Sequence, residues 1–198
     1  MKKKRLAYLV THPIQYQAPL LRLIAQQPDI DLYVFFCSDL SVRGYYDPGF
    51  KKNITWDVPL TEGYAYEFLP ALVGRHTLSF LRPIVYGLKH RLQTGKFDVL
   101  WVHGWGHWSH VAAVFAAHRL KIKVLMRGES SLQVGTKNCI KRFIKTIFFK
   151  HFFAKIDAFL SIGTLNRQFY QSYGISANRI FDVPYAVDNN FFQAGAAQ

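Results

Sequence analysis

Two things are scarce in this chain, cysteine and acid. Only two of its 198 residues are Cys, and Asp and Glu total 12 against 25 Lys and Arg, a formal net charge of +13. Two cysteines exclude a disulfide framework, the more so because Cys37 falls in a strand-like apolar run. Stability must therefore come from apolar burial. Half of the residues are apolar and 16 % are aromatic, which excludes a disordered chain. Also missing is any apolar run near the ~18 residues that a membrane span needs. The basic start, Met1 to Arg5, resembles the head of a secretion signal. The apolar stretch behind it, Leu6 to Val10, is too short for one and stops at Thr11-His12-Pro13. The expectation is a cytoplasmic protein of one domain, or one half of a two-domain enzyme.

What is present is an alternation of short apolar strands, turns and helical stretches. Strands are expected at Leu6–Val10, Asp31–Cys37, Val99–Val102, Ile122–Met126, Ala158–Ile162 and Ile180–Val183. Two more β-like pieces are Ile54–Val58 and Tyr64–Leu69, with a turn signal at Asp47-Pro48-Gly49. Helices are expected over Pro19–Gln27, Leu78–Leu92 (started or kinked by Pro83), Trp108–Leu120, Asn138–Ile156 and Leu165–Tyr173. Continuous apolar strands alternating with helices imply a mostly parallel sheet covered on both faces, a Rossmann-like three-layer α/β/α fold.

In such a sheet, ligands bind beyond the carboxyl ends of the strands. That rule selects four loops: His12-Pro13-Ile14-Gln15-Tyr16, His103-Gly104-Trp105-Gly106-His107, Arg127-Gly128-Glu129-Ser130-Ser131 and Gly163-Thr164. The first has no glycine, which excludes a dinucleotide fingerprint or a P-loop. His103, His107 and His110 have the spacing of metal ligands on one helix side. Two glycines follow His103, however, so the three are not expected to share a helix. Gly104 and Gly106 instead let backbone approach a ligand, with Trp105 or Trp108 as a stacking surface or as core filler. Arg127 and Glu129 either grip a sugar hydroxyl or a phosphate, or form an ion pair with each other.

The stretch from Asn138 to Ile156 carries two patterns. Ile140, Phe143, Ile144, Ile147 and Phe148 follow the spacing of a core stripe. Phe149 and Phe153 fall opposite, among Arg142 and Lys145, a basic face with aromatics that suits an anionic membrane surface or a partner. No recognisable RNA- or DNA-binding motif is present, so no nucleic acid partner is expected.

Several segments in order resemble a known family. They are Thr11-His12-Pro13-Ile14-Gln15-Tyr16-Gln17-Ala18-Pro19-Leu20, then Trp56-Asp57-Val58-Pro59-Leu60 with Gly63-Tyr64 and Phe68-Leu69, then Phe97 to Gly104. Ile156 to Gly163 with Tyr173-Gly174-Ile175 follows, and last Pro184-Tyr185-Ala186-Val187-Asp188 with Phe191-Phe192. Together the chain resembles the amino-terminal domain of a retaining GT-B glycosyltransferase of the family-four type, in a bacterial branch. The resemblance implies two Rossmann-like domains facing across a cleft, the first holding the acceptor and the second a nucleotide-sugar donor. It implies no bound metal and no cofactor. On it, residues 1–184 form the first domain and 185–198 begin the interdomain hinge. On the same resemblance the donor-binding domain with its two-glutamate motif is expected to be missing, and the chain alone is expected to be inactive. Where many relatives carry paired glycines this chain has His12 to Tyr16, and Arg127 stands about where many carry a His. An Arg does not exchange protons at neutral pH.

The expected function is the acceptor half of an enzyme that moves a sugar onto a bacterial surface polysaccharide or glycolipid, at the inner face of the cell membrane. Glu129 and Arg127 are the catalytic candidates. His12, Gln15, Tyr16, His103, Gly104, Trp105, Ser130, Gly163 and Thr164 are the substrate-binding ones. The alternatives are a non-catalytic membrane- or partner-binding module and a stand-alone metal-dependent α/β enzyme.

Overall fold

The computed structural model describes residues 3–47, 51–54, 56, 58–74, 76–132, 139–189 and 193. Along the chain run β1 (Lys4–Val10), α1 (Gln17–Ala25), β2 (Ile30–Phe36), β3 (Tyr45–Asp47), β4 (Lys52–Ile54), β5 (Ala65–Phe68), β6 (Ala71–Val73) and β7 (Ile84–Val85). Then come α2 (Leu88–Thr94), β8 (Val99–His103), α3 (Trp108–Arg119), β9 (Lys123–Arg127), α4 (Cys139–Phe153), β10 (Ala158–Ser161), α5 (Thr164–Ser172) and β11 (Ile180–Asp182). Among the described residues, seven strands form one parallel sheet in the order β11-β10-β9-β8-β1-β2-β5. Two small antiparallel pairs, β3 with β4 and β6 with β7, lie outside it.

β1 lies inside the sheet between β8 and β2, and its sequence shows why. Leu6, Tyr8 and Val10 point into one core layer with Leu21 of α1. Ala7 and Leu9 point into the other, with Leu88, Leu92, Val111, Val114, Phe149 and Phe169 from α2 to α5. A strand buried on both faces reads as an unbroken apolar run. From β1 the chain builds outward to β2 and β5 on one side, then returns to add β8, β9, β10 and β11 on the other. The direction of winding reverses between β1 and β8, which is where an open α/β sheet forms a crevice. Cys37 is buried, Cys139 is exposed, and both are free.

The helix expected over Leu78–Leu92 forms only from Leu88. Ile84 and Val85 pair with Ala71 and Val73 instead, and Pro83 has no N–H to give a helix. Gly87 then adopts a φ of 79°, which ends the extended segment and admits the first helical residue. The expected turn at Pro48-Gly49 lies outside the described residues, as do Asp57, Asn138, Phe191 and Phe192.

Helix α4 forms as expected but is turned the other way. Phe149 and Phe153, expected to face a membrane, are 0 % exposed, as is Phe152. Ile140, Phe143, Ile144 and Ile147, expected in the core, are all more than half exposed, and Phe148 is also exposed. The reason is the aromatic lining beneath the helix. Phe153 meets Phe159 at 5.2 Å and Tyr173 at 5.7 Å between ring centroids, and Phe149 meets Trp105 at 4.7 Å and Tyr173 at 4.9 Å. Phenylalanine rings bury more area than isoleucines and gain from edge-to-face contact. Phe149, Phe152, Phe153 and Ile156 therefore win the inner face. Arg142 stays exposed, whereas Lys145 is half-buried, with its ammonium 5.6 Å from the Phe149 ring.

Candidate functional site

Parallel pairing carries the loops after β1, β8 and β9 to one rim. Their residues line a cleft of about 520 Å³: Thr11, Ile14 and Tyr16 from the first, His103 to His107 from the second, Gly128 to Ser131 from the third. Lys145 of α4 and Phe169 of α5 complete it. The second loop is bound to the third by the Gly104 N–H, which donates to the Arg127 carbonyl at 2.5 Å. Gly104 holds a φ of 85°, left-handed backbone that explains the glycine. Trp105 is fixed between Phe149 and Ser130, whose hydroxyl accepts from the indole N–H at 2.8 Å.

Beneath this rim lies a polar relay that the sequence reading missed. Tyr8 is buried, and its hydroxyl donates to Gln17 Oε1 at 3.0 Å. Gln17 Nε2 lies 3.0 Å from His103 Nε2, and Tyr8 Oη lies 3.3 Å from His103 Nδ1. Burial first, then the Arg127 charge and His12, lower the His103 pKa to about 4. His103 is therefore a neutral imidazole at pH 7, suited to bonding a hydroxyl rather than to carrying a proton.

Arg127 is the least expected feature. It is 1 % exposed, and its Nε and Nη2 have no hydrogen-bond partner. The ion pair with Glu129 considered above does not account for these atoms. The guanidinium instead lies 4.2 Å from the ring centroid of Tyr185. The Tyr185 hydroxyl donates to Glu129 Oε1 at 2.5 Å and lies 3.5 Å from His103 Nε2, and its ring packs on Tyr16 at 5.0 Å. Burial, then the hydrogen bonds to Glu129 and Tyr16, hold the Tyr185 pKa up, so it stays a donor. Tyr185 was legible only as part of a hinge motif. Nothing in its spacing marks it as the group that joins Arg127, Glu129 and His103.

The remaining candidates are distributed around this centre. His12 lies at the rim with Nδ1 2.9 Å from the Thr11 hydroxyl, and burial with the His107 charge lowers its pKa to about 4. Gln15 lines a neighbouring hollow of about 140 Å³ with Tyr16, Pro19, Val58 and Val187. Gly163 and Thr164 are exposed at the start of α5 and do not line the cleft. The first turn of α5 contributes Asn166 instead, whose amide donates to the Ser130 carbonyl at 2.8 Å. Trp108 is exposed on α3, away from the cleft lining.

Of the three spaced histidines, His107 contacts the Ser79 carbonyl at 2.7 Å, and His110 is buried against the Gly104 carbonyl at 3.3 Å. Among the described residues no group of three or more His, Cys, Asp or Glu has the arrangement of a metal site. Nor is any described helix long and apolar enough to cross a membrane.

No protein-family model and no curated protein matches the chain. Solved structures do. A UDP-N-acetylglucosamine 2-epimerase superposes with a TM-score of 0.59 at 19 % identity, over 91 % of this chain and 48 % of that one. A putative UDP-N-acetylglucosamine 2-epimerase from Listeria monocytogenes gives 0.56 at 14 % identity, over 91 % and 45 %. The UDP-GlcNAc 2-epimerase from Neisseria meningitidis, bound to UDP-GlcNAc, gives 0.53 at 15 %, over 90 % and 45 %. At these identities what is shared is the fold, a Rossmann-like α/β unit of the GT-B-like kind. The chain spans about half the length of these structures.

Proposed function

We propose that this chain is the acceptor-side half of a two-domain enzyme that transfers a sugar from a nucleotide-sugar donor to a bacterial surface polysaccharide or glycolipid. One observation carries the reading. A guanidinium whose Nε and Nη2 are unpaired is buried at the end of β9, one strand away from the point where the winding of the sheet reverses, beside an exposed carboxylate and a neutral imidazole. A buried cation without a partner is costly, and an anionic group of a substrate relieves that cost. In sugar transfer the bond between the anomeric carbon and the diphosphate breaks, and negative charge grows on the leaving phosphate. Fixed positive groups stabilise that charge. Arg127 fills that role from below, His103 and Trp105 contact the sugar, and Glu129 orients the hydroxyl that attacks. The nucleotide sugar is substrate, and neither a metal nor a cofactor is part of the reading.

A second reading is epimerisation of a nucleotide sugar. The names of the three superposed structures favour it. The two reactions separate cleanly. Transfer releases nucleotide diphosphate only when an acceptor is present. Epimerisation leaves the nucleotide attached and inverts one ring carbon.

The first test is saturation-transfer NMR on the purified chain with UDP and UDP-GlcNAc. Transfer of saturation to the ligand, abolished in Arg127→Met, is the expected result. A wild-type chain that transfers none to either ligand, or an Arg127→Met chain that transfers as much, overturns the assignment.

A further inference from the structure

The cation below the cleft is covered by a side chain from late in the sequence. Arg127 is 1 % exposed, and although its neighbours Gly128 and Glu129 line the cleft, Arg127 does not. Tyr185 lies on it, with the ring centroid 4.2 Å from the guanidinium carbon. The same side chain reaches three residues that do line the cleft. Its hydroxyl donates to Glu129 Oε1 at 2.5 Å and lies 3.5 Å from His103 Nε2, and its ring meets Tyr16 edge-on at 5.0 Å. Tyr185 thus stands between the cleft and the buried cation.

The cover sits on irregular backbone. β11 ends at Asp182, and positions 183–188 after it are neither strand nor helix. Pro184, Ala186, Val187 and Asp188 are exposed, whereas Tyr185 among them is half-buried. Lifting its side chain therefore breaks no strand ladder and no helical turn. The ring face compensates the cation in part, but Arg127 Nε and Nη2 have no hydrogen-bond acceptor. Both atoms are closed to solvent, so no ligand oxygen reaches them until the cover moves. We propose that Tyr185 is a displaceable cover on an anion site, and that a diphosphate binds Arg127 only as the phenol leaves.

The geometry ties two events together. The hydroxyl that leaves with the ring is the one bonded to Glu129, so uncovering the cation also frees the carboxylate. An empty cleft keeps both groups occupied by its own phenol. The identity of the anion rests on the nucleotide-sugar reading above. The cover itself does not, and one arm of its test needs no substrate.

The first arm labels arginines of the purified chain with phenylglyoxal and reads each by peptide mass mapping, with the exposed Arg119 as internal standard. Arg127 should react slowly in wild type. In Tyr185→Ala its labelling relative to Arg119 should rise about tenfold or more, since the covered state is gone. Tyr185→Phe keeps the ring and gives up the bond to Glu129, so its labelling should fall between the two. Tyr185 lies outside the sheet and is half-buried, so near-native circular dichroism is expected of both variants. The second arm is calorimetric titration with inorganic pyrophosphate and with UDP. Affinity should be about tenfold or more higher in Tyr185→Ala than in wild type, because the ligand no longer has to break a charge-assisted hydrogen bond. Arg127 labelled as fast in wild type as in Tyr185→Ala, or equal ligand affinity in the two, would overturn the cover. Raised labelling with neither ligand bound by either protein would instead overturn the anion, and with it the nucleotide-sugar reading, while the cover stood.

Discussion

Mild acid should destabilise this protein through His110. His110 is 1 % exposed on α3, and its Nδ1 faces the Gly104 carbonyl at 3.3 Å. A carbonyl only accepts, so Nδ1 carries the proton and Nε2 is left bare. Nε2 is buried with no partner. Protonating it would place a charged N–H against apolar neighbours with nothing to receive it. Burial, followed by the charges of His107 and His103, accordingly lowers the pKa to about 3. In the unfolded chain the value returns to about 6.5. Between those two values the unfolded chain holds a proton that the folded one refuses. The stabilisation is complete above about pH 6.5 and is lost as the pH falls toward 3. At pH 5 the loss from this one group amounts to about 2 kcal/mol. His12 and His103, both lowered to about 4, add to it with the same sign. Asp157 is lowered from its usual value by its hydrogen bonds to Lys123 and the Val124 N–H, which outweigh burial, and its contribution is likewise lost as the pH falls. Urea unfolding at pH 7 and pH 5 reads the effect. His110→Leu, whatever it costs at pH 7, should lose about 2 kcal/mol less than wild type between the two pH values. An equal loss in both proteins would refute the buried neutral imidazole.

The inverted helix makes an opposed pair of expectations. Phe153→Ala should cost about 3–5 kcal/mol in urea unfolding, as truncation of a buried ring does, whereas Phe143→Ala should stay within about 0.5 kcal/mol of wild type. Equal costs would return the helix to the orientation that its longer stripe suggests. Gly104→Ala should destabilise by about 1 kcal/mol through its left-handed backbone alone, because a Cβ there meets nothing within 4 Å. A cost several times larger in thermal unfolding would mean steric conflict instead. Arg127→Met should leave the melting temperature equal to wild type or higher while removing nucleotide binding, since it replaces a buried, unpaired charge by an apolar chain. Severe destabilisation would show that the guanidinium supports the fold.

The parallel sheet was legible because its strands are unbroken apolar runs such as Leu6–Val10 and Val99–Val102, each followed by a polar turn. The rim was legible with them, because parallel strands put their following loops on one edge wherever they begin. Two things were not. The face that α4 buries was hidden because Ile140 to Phe148 and Phe149 to Ile156 both repeat at helical spacing. Only the aromatic lining from Phe159, Phe169 and Tyr173, assembled from other elements, decides between them. The polar relay was hidden for a related reason. Tyr8 and Gln17 look like ordinary core and helix residues until folding places both beside His103, which lies far along the chain from either.

The same guanidinium that invites an anion also fixes what its neighbours can do. Arg127 lies close enough to His103 to be the second cause of that imidazole's low pKa. A His with a pKa of about 4 is nearly proton-free at neutral pH and is too weak a base to draw a proton from a sugar hydroxyl. Tyr185, held protonated by burial and by its bond to Glu129, is no base either. Among the described residues that line the cleft, Glu129 is the one carboxylate. On the sugar-transfer reading, Glu129 is therefore the group left to accept a hydrogen bond from the attacking hydroxyl, and it must first give up its bond with Tyr185 or share it. On the same reading the charge that grows on the departing phosphate is the part that falls to Arg127.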